Sequence, residues 1–292
     1  MLKARIRQLA KTPLNLALHA AGRAYVPGYE LRDALATAHR LLTDNASITL
    51  GYFHGAFEPP GRITGITHQI IEAVAAQQPK GYLSIKAPAL NYDAALLAGI
   101  VNSANQHHIL AHFDSHEHFT AEATMNCVRQ AVSLGGDVGL TIPGRWQRSL
   151  DDADEANALG VRVRVVKGEW ADPGAPHIDL RQGYLDVVDR LAGKARQVAI
   201  ATHDPWLARE SLSRLQKAGT SCELELLNGL PRREMLGLAK QFNVPVRFYI
   251  PFGIAWRPYA LSKALENPRI IGWLVKDAAQ GLFANLKKRM VK

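Results

Sequence analysis

Eight short apolar runs recur along the chain at similar intervals, and that recurrence limits the folds open to it. They are SITLGYF (47–53), GYLSIKA (81–87), HHILAHFD (107–114), DVGLTIP (137–143), VRVRVVKG (161–168), QVAIATHD (197–204), CELELLNG (222–229) and VPVRFYIPFG (244–253). Successive runs start 34, 26, 30, 24, 36, 25 and 22 residues apart. Between them lie stretches of helical pattern, among them ITHQIIEAVAAQQ, YDAALLAGIVNSANQ, TAEATMNCVRQAVSLGG and PRREMLGLAKQF. A strand followed by a helix needs about that much chain, and strands alternating with helices form a parallel sheet. Eight such units in roughly 250 residues predict an α/β fold, a (βα)8 TIM-like barrel. An open doubly wound sheet is the competitor, but it usually carries a glycine-rich phosphate loop after its first strand. Here the first run leads into GYFHGAFEPPG, which lacks the G-x-G-x-x-G spacing.

Residues 1–46 precede the first run and hold one strong helical pattern, LRDALATAHRLLTD. They are expected to form an N-terminal helical extension to a single barrel domain of residues 47–292, since no low-complexity linker divides the chain. The last piece, IIGWLVKDAAQGLFANLKKRMVK, is expected to close the ring and end in a basic helix. At 292 residues and 47% apolar, the chain can bury a large core without staples. Its two cysteines, Cys127 and Cys222, are too few for a disulfide scaffold and fit a reducing compartment, hence the cytoplasm. No stretch reads as a secretory signal, because the apolar residues near Leu14 are broken by Asn15 and His19. No window of about 18 apolar residues is long enough to span a membrane.

The net charge of +9 concentrates partly at the ends: Lys3, Arg5, Arg7 and Lys11 at one, Lys287, Lys288, Arg289 and Lys292 at the other. Leu2, Ile6, Leu9 and Ala10 fall between the first four at helical spacing. Such a helix either packs on the domain as a solvated end or lies on an anionic membrane face. The basic residues are scattered and lack interleaved aromatics, which argues against nucleic acid as a partner.

In a barrel of this kind chemistry sits at the C-terminal ends of the strands. Those ends carry Lys86, Asp114, Arg164, Lys167, Gly168, Thr202, His203, Asp204, Asn228, Gly229 and Tyr249. Cations on strands two and five and an acid on strand three, all facing one mouth, predict an anionic ligand with a positioned counter-charge. A salt-bridge ring that merely closes the barrel is the structural alternative. A second constellation, HFDSHEH, sets His112, Asp114 and His116 on one face by strand alternation. Imidazole and carboxylate at short spacing can bind zinc, but the strand is expected to end near Asp114, so no metal is assigned.

The motifs at these strand ends resemble the flavin-dependent proline dehydrogenase family, from about Ala24 to Val275. The family's final strand and helix read Y-x-P-x-G-x-x-W-x-x-Y-x-x-R-R-L-x-E, and this chain keeps Tyr249, Pro251, Gly253, Trp256, Tyr259 and Glu266 in step. VRVVKGEW is similar to V-R-L-V-K-G-A-Y, IATHD to A-T-H-N, and CELELLNG to E-F-Q-x-L-x-G. YLSIKAPAL resembles the family's lysine strand, and FDSHEH stands where it has I-D-A-E-E. The resemblance implies a barrel that binds FAD and moves a hydride from a C–N bond of proline, or a related amine or imino acid, to flavin N5. It places Lys86 beneath the substrate and pairs Asp114 with a basic group above it. Tyr249 and Leu227 would wall the substrate, with Tyr259, Ser262 and Lys263 on the final helix. Arg164 would be a stabilising cation beside the flavin, Glu225 would stand near it, and Lys167, Gly168, Thr202 and His203 would bind the rest of FAD. The resemblance also implies a membrane quinone as electron acceptor, and hence a peripheral position at the inner membrane face.

Three departures bear on that reading. Ser262 and Lys263 stand where the family has two arginines that clamp the substrate carboxylate, and lysine lacks the arginine fork. Pro143 falls where the family has a flavin-contacting glutamine, unless a slip in register brings Thr141 there; Glu225 replaces a second glutamine. Strand one ends in Gly51-Tyr52, where the family tends to have an acid. Two other readings stay open: a metal-dependent barrel hydrolase or lyase using His112, Asp114 and His116, and a non-catalytic relative that binds a small ligand.

Overall fold

A computed structural model describes residues 28–44, 46–76 and 81–255 of the chain. Eight parallel strands form a closed barrel in sequence order. They are β1 (Ser47–Tyr52), β2 (Gly81–Ile85), β3 (Ala111–Phe113), β4 (Val138–Pro143), β5 (Arg162–Val166), β6 (Val198–Ala201), β7 (Cys222–Leu227) and β8 (Val246–Phe252). The ring closes where β8 pairs with β1, in register from Ser47 with Arg247 to Tyr52 with Phe252. The (βα)8 expectation is met.

Helix α1 (Leu31–Thr43) precedes the barrel and packs on β8 and β1 through Ala34, Thr37, Ala38 and Leu41. The connecting helices are α2 (Pro60–Ala76), α3 (Ala94–Gln106), α4 (Ala121–Ser133), α5 (Ser149–Ala158), α6 (Leu180–Leu191), α7 (Pro205–Lys217) and α8 (Arg233–Phe242). Their starts follow capping chemistry. Asp93 accepts from the amides of Ala95 and Leu96, both at 2.9 Å, and Asp204 with Pro205 opens α7. Each helix buries one apolar face; α2, for example, turns Ile63, Ile70, Ile71 and Val74 inward. Each such side chain contributes about 1.5–3 kcal/mol by leaving water.

Strand three is shorter than the sequence suggested. His107 ends α3, His108 has φ +54°, and the Ile109 amide donates back to the Ala104 carbonyl at 2.9 Å. The double histidine is therefore a helix terminus, and β3 begins only at Ala111.

The inside of the barrel departs from the branched aliphatic filling usual in this fold. Alternate residues of the strands place Thr49, Tyr82, His112, Thr141, Arg162, Arg164, Glu223, Glu225 and Arg247 in buried positions. Small residues make the room. A Cβ at Gly139 would lie 2.3 Å from His112 Nδ1, so the imidazole fits only because β4 offers a glycine there.

Candidate active site

Glu223 binds the deepest charges: Arg162 pairs with it, and Arg247 Nε donates to it at 2.5 Å. Glu225 stands one layer higher. It takes Arg164 Nη2 at 2.8 Å, the Tyr82 hydroxyl at 2.9 Å and the Thr49 hydroxyl at 3.1 Å. Buried ions are tolerated when they are paired and hydrogen-bonded in this way. Burial pushes the Glu225 carboxyl up, but Arg164, Arg162 and Arg247 outweigh it and hold the group below its usual value.

Asp114 lies above this layer, just past the end of β3, and four donors meet it. Arg164 Nη1 reaches Oδ1 at 2.8 Å. Oδ2 receives the Ser84 hydroxyl, the Tyr249 hydroxyl at 3.0 Å and Lys86 Nζ at 3.3 Å. Burial works against the charge, yet Lys86 first and Arg164 next hold the carboxyl at about 2. Asp114 is a fixed anion at neutral pH. Lys86 sits 4.3 Å over the Phe53 ring, and burial lowers its pKa against the pull of Asp114. Burial, with Asp114 added, keeps the Tyr249 phenol protonated.

A cavity of 470 Å³ opens above this floor at the C-terminal mouth. Lys86, Asp114, Arg164, Thr141 and Tyr249 line it below; Leu227, Val166, Ala201, Phe53 and Trp170 give it apolar walls. Gly168, Thr202, His203 and His116 also face it. His203 braces the wall: one ring nitrogen lies 3.1 Å from the Pro231 carbonyl and the other accepts the Leu227 amide at 3.0 Å. That pattern needs a neutral ring, and burial lowers its pKa accordingly. Beside the mouth Asp204 bridges two cations, Lys167 at 3.1 Å and Arg181 at 2.9 Å.

The residues expected at the mouth thus converge. Lys86, Asp114, Tyr249, Leu227, Arg164, Gly168, Thr202, His203 and Glu225 line one cavity, and Lys167 stands beside it. Tyr259, Ser262 and Lys263 lie outside the described residues. In β4 it is Thr141, and not Pro143, that lines the cavity, its hydroxyl 3.3 Å from Arg164. His112 is not grouped with His116. It lies inside the barrel, 2.9 Å from the Thr141 hydroxyl and stacked on Tyr82. Among the described residues no cluster of three His, Cys, Asp or Glu side chains can hold a metal ion. Ser84 bonds Asp114 and was not singled out, although strand alternation from Lys86 would have found it. His116, expected on one face with His112 and Asp114, lines the cavity with Asp114 but without His112.

No protein-family model matches the sequence. No curated protein matches it either. Solved structures do. Proline utilization A from Bdellovibrio bacteriovorus, inactivated by N-propargylglycine, superposes with a TM-score of 0.74 at 14% identity, over 85% of this chain and 33% of that one. The Corynebacterium freiburgense protein gives 0.68 at 16%, over 90% and 32%. A variant of the Bradyrhizobium japonicum protein gives 0.63 at 20%, over 76% and 28%. The chain therefore spans about a third of the length of these structures. At the level of fold, they bear out the resemblance of the sequence to the proline dehydrogenase family.

Proposed function

We propose that this barrel is a flavin-dependent oxidoreductase that takes a hydride from a carbon bonded to nitrogen, in proline or a related amine-bearing acid. One observation carries the reading: Asp114, held by Lys86, Arg164 and Tyr249, forms a rigid polar floor beneath a cavity with apolar walls. A volume of 470 Å³ suits a planar ring system with a small guest. Lys86 and Arg164 are the cations that a guest's carboxylate would meet at the cavity floor.

The residues present fit FAD. The cation of Arg164 lies under the cavity, and its Nε is buried without a partner. Lys167 and Arg181 meet at Asp204 beside the mouth, where a pyrophosphate would find two cations. Thr202 offers a hydroxyl there. FAD bound in this cavity would supply the two-electron acceptor. The protein's part is to position and to set the field. Lys86 meets the guest's carboxylate, Leu227 and Tyr249 wall its apolar part, and the fixed anion of Asp114 keeps Lys86 and Arg164 in place.

The natural electron acceptor in this reading is a membrane quinone, reached from the cytoplasmic side. Purified protein incubated with FAD and freed of excess should show flavin absorbance. Protein that stays colourless overturns the reading.

A further inference from the structure

We propose that Trp206 is a stacking platform for a purine, and that it seats the adenine end of FAD outside the mouth of the barrel. The inference rests on the flavin reading above and names the residue that would hold the far half of the cofactor. Trp206 follows Asp204 and Pro205 at the start of α7. That helix turns Leu207, Ala208, Ser211, Leu212 and Leu215 to the core, and Trp206 is not among them. The residue keeps 47% of its surface in water. A single exposed apolar side chain needs no explanation by itself. What stands around this one gives it a use.

The Arg181 guanidinium carbon lies 5.1 Å from the centre of the Trp206 ring. The same guanidinium bonds Asp204 Oδ2 at 2.9 Å, and Lys167 Nζ meets that oxygen at 3.1 Å. Both cations remain accessible. Asp179, the other carboxylate near them, accepts from the amides of Arg181 and Gln182. Lys167 is followed by Gly168, which lines the cavity together with Thr202. From the cavity outward the order is therefore Gly168 and Thr202, then Lys167 and Arg181, then the indole. FAD has the same order: a planar ring system, a pyrophosphate, and an adenine one ribose further on. Stacking of a base on an aromatic ring needs no fixed hydrogen bond, and a guanidinium alongside adds to it. Arg181 covers part of the indole, and close to half of the residue stays open to a base.

The test titrates FAD, FMN and ADP calorimetrically into the full chain freed of flavin. The wild type should bind FAD at least about tenfold more tightly than FMN, which lacks the adenosine half. Trp206→Ala should lose about tenfold in FAD affinity, the scale of one base stacked on an aromatic ring, and keep its FMN affinity. Trp206→Phe should retain most of the preference for FAD. A preference that survives in Trp206→Ala, or FMN affinity that falls as far as FAD affinity, overturns the assignment and leaves the flavin reading in place. Wild type that binds the two flavins alike does the same. Wild type that binds neither flavin sinks the flavin reading, and ADP then decides. ADP held by the wild type and about tenfold more weakly by Trp206→Ala keeps the purine seat. ADP that ignores the change, or does not bind, removes it.

Discussion

The Tyr249 phenol occupies the place where a side chain at Gly51 would be: a Cβ built there would lie 2.1 Å from the Tyr249 hydroxyl oxygen. The two residues stand on the strands that close the barrel. Where the resembling family tends to place an acid on strand one, this chain places nothing. The space goes to a hydroxyl that reaches Asp114, Ser84 and Lys86. Gly51→Ala should therefore push Tyr249 off Asp114. Overpacking of this kind costs about 1–3 kcal/mol, read as a lower melting temperature. A variant as stable as the wild type would show that Tyr249 does not hold this position.

Arg164 connects the two acidic layers, with Asp114 on one side and Glu225 on the other. Arg164→Met would leave two buried carboxylates short of their shared cation. The expected loss is about 3–5 kcal/mol, measured by chemical unfolding. Arg164→Lys keeps the charge but not the fork, so it should fall between the two.

Acid should weaken the fold in two stages. His116 is held at about 4, below the ordinary 6.5, and burial lowers His112 as well. Between those values the unfolded chain takes up protons that the folded chain refuses, so stability falls as pH drops below about 6.5. Asp114 is held at about 2 against 3.8, so its contribution is present above the unfolded value and is lost as pH falls towards 2. That second stage amounts to about 2 kcal/mol. Melting curves of His116→Asn against pH should show a shallower first stage. An unchanged slope would contradict the buried, neutral ring.

Asp204 caps α7 and also neutralises part of Lys167 and Arg181. Asp204→Asn keeps a capping side chain and removes the charge. FAD or ADP should then bind roughly two- to fivefold more tightly, the scale of an exposed ion pair. Weaker binding would place the pyrophosphate elsewhere.

Ser262 and Lys263 lie beyond the described residues, and their place at the mouth is carried by the sequence resemblance. Changing both to arginine should strengthen binding of a proline-like carboxylate by at least about tenfold. No change for any carboxylate would put them outside the cavity.

Strand order and most of the site residues were legible in the sequence because parallel strands, buried on both faces, form apolar runs interrupted only where function or pairing demands a charge. Arg164 and Lys86 stood out for that reason. Strand three misled because His107 and His108 adjoin an apolar run without belonging to it; a turn with φ +54° at a histidine leaves little trace in sequence. Thr141 was separated from Pro143 only by geometry, since a one-residue view of β4 cannot fix its register against Arg164. His116 stood out in the sequence beside His112 and Asp114, but the strand ends at Phe113, so the alternation that grouped it with His112 does not reach it.

The charged interior has a consequence for heat. Hydration of ions weakens on warming, so the desolvation that opposes pairs such as Arg162 with Glu223 shrinks as temperature climbs. A barrel filled this way should keep its centre in order when hotter water has already begun to loosen the aliphatic contacts of its outer helices.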